Sequence, residues 1–244
     1  MDDTKEFQDL KAASAQHMRE DYELQRLATD VMVRADRHNY GFQWTWLGLP
    51  IIQIPQDIVV LQEIVWQTRP NVIIETGVAR GGSLVFFASM LQLLGEGHVI
   101  GIDIDIREHN RAALESHFLS HRISLMQGSS IEPTLVGAVR AKLKPEDRVM
   151  VVLDSNHTHE HVLNELRAYG PVVTEGQYLV VADTIVENIP GQDHRIRPWQ
   201  KGNNPMTALQ AYLAETDRFE IDAEIDAKIL MTSSPNGYLK CIKS

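Results

Sequence analysis

From Asn71 onward the chain repeats one pattern, a short run of β-branched and aliphatic residues followed by a stretch of helical length. Runs of that kind read as strands buried on both faces, and their alternation with helices reads as βαβ units on a parallel sheet. Strands are expected at 72–76, 98–103, 123–127, 149–153 and 178–182, and helices at 83–94, 108–119, 133–143, 161–169 and 206–215. Beyond 215 the pattern changes. Residues 219–221, 229–232 and 238–242 are strand-like and Ser234-Pro235-Asn236-Gly237 is a turn, so the sheet is expected to end in an antiparallel element. The fold class is therefore α/β, a mostly parallel sheet with helices on both faces.

Ahead of the sheet, Leu24, Leu27, Ala28, Val31 and Met32 recur at helical spacing, predicting an amphipathic helix over 21–37. Tyr40, Phe42, Trp44 and Trp46 fall on every second position, the period of an extended segment with an aromatic face. Pro50 and Pro55 then interrupt any helix, and a second helix is expected over 57–67 with Asp57 as N-cap and Pro70 closing it. With no repeat or linker in 244 residues, one domain is expected over 1–244, an extension (1–69) followed by the core (70–244). Hydrophobic residues at 43% and charged residues at 23% exclude a disordered chain. A net charge of −10 repels a phosphate backbone, so nucleic acid is not an expected partner. No apolar run is long enough for a bilayer, the opening Met1-Asp2-Asp3-Thr4-Lys5-Glu6 has no export-signal character, and the lone Cys241 suits a reducing compartment. A cytoplasmic protein without a membrane partner is expected.

Open parallel sheets bind ligands beyond the carboxyl ends of their strands. The first such end reads Glu75-Thr76-Gly77-Val78-Ala79-Arg80-Gly81-Gly82-Ser83, where glycines permit a tight turn and the following helix offers free N–H groups to an anion. The spacing departs from the dinucleotide fingerprint G-x-G-x-x-G. The second strand closes with Asp103-Ile104-Asp105, about 20 residues beyond the loop, where a carboxylate suits a ribose diol and Asp103 is better placed than Asp105. Gly128-Ser129-Ser130 follows the third strand and could border an adenine. The fourth delivers Asp154-Ser155-Asn156-His157-Thr158-His159-Glu160-His161. There Asp154 can hold a cation or an ammonium, and His157 can take a proton from a hydroxyl. His159 and His161 are expected to begin a helix in solvent. Asp183 closes the fifth strand, and its convergence with Asp154 would invite a hard divalent cation such as Mg2+.

Glu75-x-Gly77, Gly81-Gly82-Ser83 and Gly101-x-Asp103-x-Asp105 resemble the first two motifs of class I S-adenosylmethionine-dependent methyltransferases, small-molecule O-methyltransferases above all. Together with Trp44-Thr45-Trp46-Leu47-Gly48, Pro55-Gln56-Asp57, Leu153-Asp154-Ser155-Asn156-His157-Thr158-His159 and Gly202-Asn203-Asn204-Pro205, they resemble the cephalosporin hydroxylase family from about Tyr40 to the C-terminus. The resemblance implies a Rossmann-like class I methyltransferase fold that binds S-adenosylmethionine. It is similar, too, to macrolide sugar O-methyltransferases, whose Asp-x-x-His arrangement places a carboxylate on Mg2+ and a histidine as base, matched here by Asp154 and His157. Those relatives carry an acidic pair after the next strand. Here it is Ala182-Asp183, so one acidic ligand is absent and a weaker site completed by water is expected.

The expected function is methyl transfer from S-adenosylmethionine to a hydroxyl of a small molecule, a sugar or other natural product. Glu75, Thr76, Gly77, Gly81, Gly82 and Ser83 would hold the methionine end, with Asp154 beside it, Asp103 and Ile104 the ribose, and Ser129 and Ser130 the adenine side. His157 and Asp154 would be catalytic, Asp154 and Asp183 would hold Mg2+, and Trp44, Trp46, Arg195, Arg197 and Trp199 would be substrate walls. Two other classes stay open on the residues alone. A non-haem iron oxygenase would draw its two-histidine, one-carboxylate set from His157, His159 and Asp154. A non-catalytic nucleoside-binding regulator would keep the loop and Asp103 without needing His157. The first helix could pack on its own subunit or on a second one, and the resemblance implies the second, a homo-oligomer.

Overall fold

The computed structural model describes residues 3–191 and 194–243. Met1 and Asp2, the start of the segment read for an export signal, lie outside the described residues. Helices α1 (Asp3–Glu20) and α2 (Tyr22–Asp36) open the chain, followed by a 3-10 turn at Tyr40–Phe42. The hairpin β1 (Trp44–Trp46) and β2 (Leu49–Ile51) precedes α3 (Pro55–Thr68). The main sheet is then built from β3 (Val72–Thr76), β4 (His98–Asp103), β5 (Ile123–Gln127), β6 (Val149–Leu153) and β7 (Tyr178–Val181). Between them run α4 (Gly82–Leu94), α5 (Glu108–Glu115), α6 (Pro133–Arg140) and α7 (His159–Tyr169). Helix α8 (Pro205–Glu215), β8 (Phe219–Ile221), α9 (Ala223–Lys228) and β9 (Tyr238–Cys241) complete the fold.

The sheet order is β5-β4-β3-β6-β7-β9-β8. The first five strands pair in parallel and β9 pairs antiparallel with both β7 and β8. This is the expected α/β architecture. Alternate residues of each strand feed opposite cores: Ile73 packs with α3 and α4 on one face, and Ile74 with α6, α7 and α8 on the other. Both faces are covered, which is why these strands read as unbroken apolar runs. The chain leaves β3 toward β4 and β5, then returns to β6 on the other flank. Strand order reverses between β3 and β6, and the crevice there is the site such sheets offer to ligands.

Several expectations need correction. Helix α1 was not read from the sequence, because it buries none of its residues and so has no apolar stripe to betray it; it packs across α9. Only 44–46 of the aromatic segment is extended, and it pairs with β2 through the two-residue turn Leu47-Gly48, both at positive φ. Asp57 is not an N-cap. Pro55 opens α3 from its first turn, where its missing N–H costs nothing, and Asp57 is buried within the helix. Residues 229–232 do not form a strand: they leave the C-terminus of α9, which Asp222 caps at its start, as a loop whose Thr232 hydroxyl donates to Asp57. Helices α5 and α6 end three to four residues earlier than read, and α7 starts two residues sooner, at His159. Among the described residues, no helix is long and apolar enough to cross a membrane.

The β3–β6 junction turns on Gly77. Its φ is +94°, and a Cβ there would stand 2.0 Å from the Asp154 carbonyl oxygen. We expect Gly77→Ala to destabilise the fold by about 2 kcal/mol or more and to lower Tm by roughly 4–8 °C. Gly137→Ala, in open space on α6, should be neutral or stabilising by less than about 1 kcal/mol. Thermal unfolding of the two variants checks the contrast, and equal Tm values would remove the argument.

Candidate active site

The loop between β3 and α4 is held from behind. Asp103, at the end of β4, accepts from the Val78 N–H (2.8 Å), the Ala79 N–H (3.1 Å) and the Asp105 N–H (3.0 Å). Asn110 of α5 donates to the Ala79 carbonyl at 2.8 Å. Asp103 therefore serves the loop first, and only its remaining lone pairs are open to a diol. Ile104 beside it is 72% exposed, an apolar side chain on the rim. The loop glycines do not chiefly leave room for a ligand. Gly77 yields to the Asp154 backbone, Gly81 to the Leu114 side chain and Gly82 to the Pro50 carbonyl, so they serve close packing of the site's own walls.

In front of the loop lies a cavity of about 420 Å3. Gly77, Gly81, Gly82, Ser83, Asp154, His157 and Asp183 line its sheet side, and Met32, Tyr40 and Phe42 face them from the N-terminal extension. Asp57, Asp154 and Asp183 line the cavity's inner side, with Arg80, Arg195 and Arg197 also on its walls. Beneath the loop, Glu75 is fully buried, accepts from Ser83 Oγ at 3.0 Å and leaves Oε1 without a partner. Burial pushes its carboxyl up to about 8. Thr76 is fully buried as well, its Oγ1 without a partner. Asp154 is raised well above the ordinary carboxylate range by burial, and further by Asp183, Glu75, Glu165 and Asp57. Such a set of acids favours a cationic occupant.

Asp154, His157 and Asp183 each present a ligand atom, and these atoms lie within 4.8 Å of one another. Parallel pairing of Leu153 with Val181 places the two strand ends side by side. His157 Nε2 is 3.2 Å from Asp183 Oδ2, and the Trp199 ring meets the imidazole edge-on at 4.8 Å. Asn156 Oδ1 accepts from the Thr158 N–H (2.9 Å) and hydroxyl (2.8 Å), an Asx turn that fixes the backbone around His157. Asp183 sits in the left-handed region at φ 57°, strain of the kind that gathers at functional sites. Ala182 is buried and brings no ligand.

The neighbouring histidines are partly buried and hydrogen-bonded, where solvated side chains were expected. His159 Nδ1 lies 2.8 Å from Thr207 Oγ1 on α8, away from the cluster. The two-histidine set of an iron oxygenase is thus not assembled among the described residues. His161 Nε2 lies 3.1 Å from Ser130 Oγ, and the Ser130 carbonyl accepts from Tyr169. Ser129, Ser130, Asp103 and Ile104 do not line the cavity, and Ser130 is buried.

Of the expected substrate walls, Trp44 and Trp46 do not line the cavity. Trp46 donates Nε1–H to Ser89 Oγ at 3.0 Å and packs edge-on against Phe86, and Trp44 meets Tyr40. Arg195, Arg197 and Trp199 do line it. Arg195 pairs with Asp36 at 2.9 Å and covers Phe42, tying this segment to the end of α2, while Arg197 stacks over Trp199 at 5.0 Å.

Sequence reasoning missed Asp57, Ser233 and Tyr238 as one unit. Asp57 accepts from the Thr232 hydroxyl (2.5 Å), the Tyr238 hydroxyl (2.8 Å) and the Ser233 N–H (2.9 Å), pinning the β9 approach to α3 at the cavity wall. Asn203, singled out only within the Gly202-Asn203-Asn204-Pro205 motif, has a role the sequence did not show: its Oδ1 accepts from the His159 N–H at 2.9 Å and caps α7. Its neighbour Asn204 caps α8 with a capping box to Thr207.

The family model described as Rhamnosyl O-methyltransferase/CmcI matches residues 38–242. The Rhamnosyl O-methyltransferase of Mycobacterium leprae (strain TN) is 32% identical over 208 residues, covering 82% of this chain and 86% of that protein. Its namesake in Mycobacterium tuberculosis (strain ATCC 25618 / H37Rv) is 32% identical over 199 residues, covering 80% and 77%. Two solved structures share the fold. "CmcI-N160 apo-structure" matches with a TM-score of 0.59 at 23% identity, covering 83% of this chain and 78% of that one. "cmcI-D160 Mg-SAM" matches at 0.58 and 22%, with the same coverage.

The buried acids set a pH dependence. Glu75 holds its proton to about 8 when folded against 4.5 when free, so its contribution to stability is complete below pH 4.5 and is lost as pH rises through 8. Asp57 and Asp154, both raised, act in the same direction. The Tm of the ligand-free protein is expected to fall between pH 5.5 and 8.5, and Glu75→Gln should flatten that fall. Melting curves across this range check it; a Tm that rises toward pH 8.5 would show the acids to be ionised in the fold.

Proposed function

The chain belongs to the rhamnosyl O-methyltransferase/CmcI family and is an S-adenosylmethionine-dependent O-methyltransferase, and on that premise we propose how its own residues carry the reaction. The acceptor is a hydroxyl of a small sugar or sugar-bearing natural product, by analogy with the rhamnosyl acceptor that its relatives' name states. The observation that carries the reading is the convergence of Asp154, His157 and Asp183 at the mouth of the glycine loop.

Asp57, Asp154 and Asp183 line the crevice and Glu75 lies buried beneath the glycine loop with one carboxyl oxygen unpartnered, and this set of acids supports a cationic cofactor. S-adenosylmethionine supplies an electrophilic methyl group when bound. Gly77 to Ser83 would hold its amino-acid end, Asp103 and Ile104 its ribose, and Ser129 and Ser130 its adenine side. The donor set of Asp154 and Asp183 fits a hard divalent cation whose remaining positions go to water, and such an ion supplies Lewis acidity toward an acceptor hydroxyl.

His157 is the base. With Nε2–H donated to Asp183, its lone pair lies on Nδ1, the atom that takes the acceptor's proton. Asp183 then stabilises the imidazolium, and the Trp199 ring restricts the imidazole's rotation. Arg195, Arg197 and Trp199 form the acceptor-side wall, with Tyr40 and Phe42 in the role expected of Trp44 and Trp46. The extension 1–69 and the core 70–244 act as one unit, since both line the cavity. The exposed Phe7, Leu10, Leu27 and Val31 of α1 and α2 support the homo-oligomer; a monomer by light scattering would remove it.

His157→Ala should lower kcat by roughly 10²-fold or more with S-adenosylhomocysteine affinity unchanged, while His159→Ala should change kcat by less than about threefold. Steady-state kinetics with calorimetry on both variants checks this, and normal turnover in His157→Ala would transfer the base role elsewhere. Chelation should suppress turnover and Mg2+ restore it, with Asp183→Asn raising the half-activating metal concentration about tenfold. Full turnover in excess chelator would remove the metal from the mechanism.

A further inference from the structure

Three side chains of α7, His161, Glu165 and Tyr169, are spaced four apart and so form one stripe along the helix. All three face the strand ends. Tyr169 donates its hydroxyl to the Ser130 carbonyl at 2.7 Å. His161 Nε2 lies 3.1 Å from Ser130 Oγ and 3.2 Å from Ser155 Oγ. Ser155 Oγ donates to Glu165 Oε1 at 2.7 Å, and the same oxygen is 3.4 Å from His161 Nε2. Glu165 is wholly buried and its Oε2 has no partner.

Ser130 and Ser155 belong to loops that the sheet keeps apart. Ser130 follows β5 and Ser155 follows β6, with β4 and β3 lying between those strands, a separation of about 14 Å across the sheet. The two loops nonetheless meet on a single nitrogen. One loop is the expected adenine border and the other carries Asp154 and His157, so the contact joins the loop expected at the adenine to the loop that carries the reacting pair.

We propose that His161, held by Glu165, is a positioning residue that couples the loop after β5 to the Asp154–His157 loop, so that order at the adenine border fixes the reacting pair. The role in turnover rests on the methyl-transfer reading above; the coupling itself does not. Glu165 anchors the arrangement from the buried side: it accepts from Ser155 and faces the imidazole, leaving His161 little freedom to swing away. Neither residue hydrogen-bonds to Asp154, His157 or Asp183 among the described contacts, although Glu165 lies near enough to act on Asp154 through its charge.

Hydrogen exchange at the amides of residues 154–158, measured on the full chain without cofactor, tests the coupling. Ser130→Ala removes a hydroxyl from the other loop, yet it should speed exchange at 154–158 by about fivefold or more, with the β6 amides at 149–152 unchanged. In a His161→Ala background the same substitution should add less than about twofold, the non-additivity expected of groups sharing one partner. Should His161→Ala not fold, Ser155→Ala takes its place in the cycle with the same expectation. His161→Gln, whose amide can still meet both hydroxyls, should keep kcat within about threefold, whereas His161→Ala should lose about tenfold at saturating cofactor. Unchanged exchange at 154–158 in Ser130→Ala, or fully additive effects, would overturn the proposal while leaving the methyl-transfer reading intact. Loss of that reading would in turn leave the exchange result standing.

Discussion

The site depends on one close approach between two backbones. Asp154 donates its N–H to the Thr76 carbonyl at 2.9 Å, and Gly77 brings its Cα against the Asp154 carbonyl where no side chain could fit. This junction is where strand order reverses, so the loops after β3 and β6 diverge around a crevice while their roots stay in contact. The glycine loop cannot move without carrying Asp154, and Asp154 cannot move without disturbing the loop. Asp103 and Asn110 stiffen the same loop from the β4 side. Positional precision of this kind is what a displacement reaction requires of its enzyme.

Electrostatics follows from that geometry. Bringing the ends of β3, β6 and β7 together also brings Glu75, Asp154 and Asp183 together, with Asp57 and Glu165 near enough to raise the proton affinity of Asp154. Carboxyls so placed are costly in the empty fold, and burial keeps Glu75 protonated to about 8. A cationic occupant reverses the balance. The acids therefore work against the ligand-free protein at alkaline pH, and under the proposed function they would favour the loaded one.

Much of the fold was legible because a doubly covered strand leaves a plain trace. Four of the five parallel strands were read to the residue, since Val, Ile and Leu fill both faces of β3 and β6 and dominate β4, while edge strand β5 is a short Ile-Ser-Leu-Met run between helical stretches. The candidate site was legible where chemistry sits at a strand end: Asp154, His157 and Asp183 needed only the parallel pairing of β6 and β7 to meet. What was not legible depends on partners distant in sequence. Asp57 resembles an N-cap locally, but its bonds go to Thr232, Ser233 and Tyr238. His161 looks like a solvated helix start until Ser130 is brought to it. Trp44 and Trp46 read as a ligand wall because aromatic alternation records a face without saying what covers it, and here Tyr40 and the Phe86 side of α4 do. Helix α1 left no signal, having no buried face.

The central claim is that buried acids at the β3–β6 junction hold a cationic cofactor. Calorimetric titration of S-adenosylmethionine into the metal-free chain at pH 7, in two buffers of different ionisation enthalpy, tests it most directly. The account predicts saturable binding accompanied by net proton release of up to about one per chain, because Glu75, protonated below about 8 in the free protein, and Asp154, raised beside it, ionise when positive charge arrives. Binding with no proton release, or no binding in a folded protein, would contradict it.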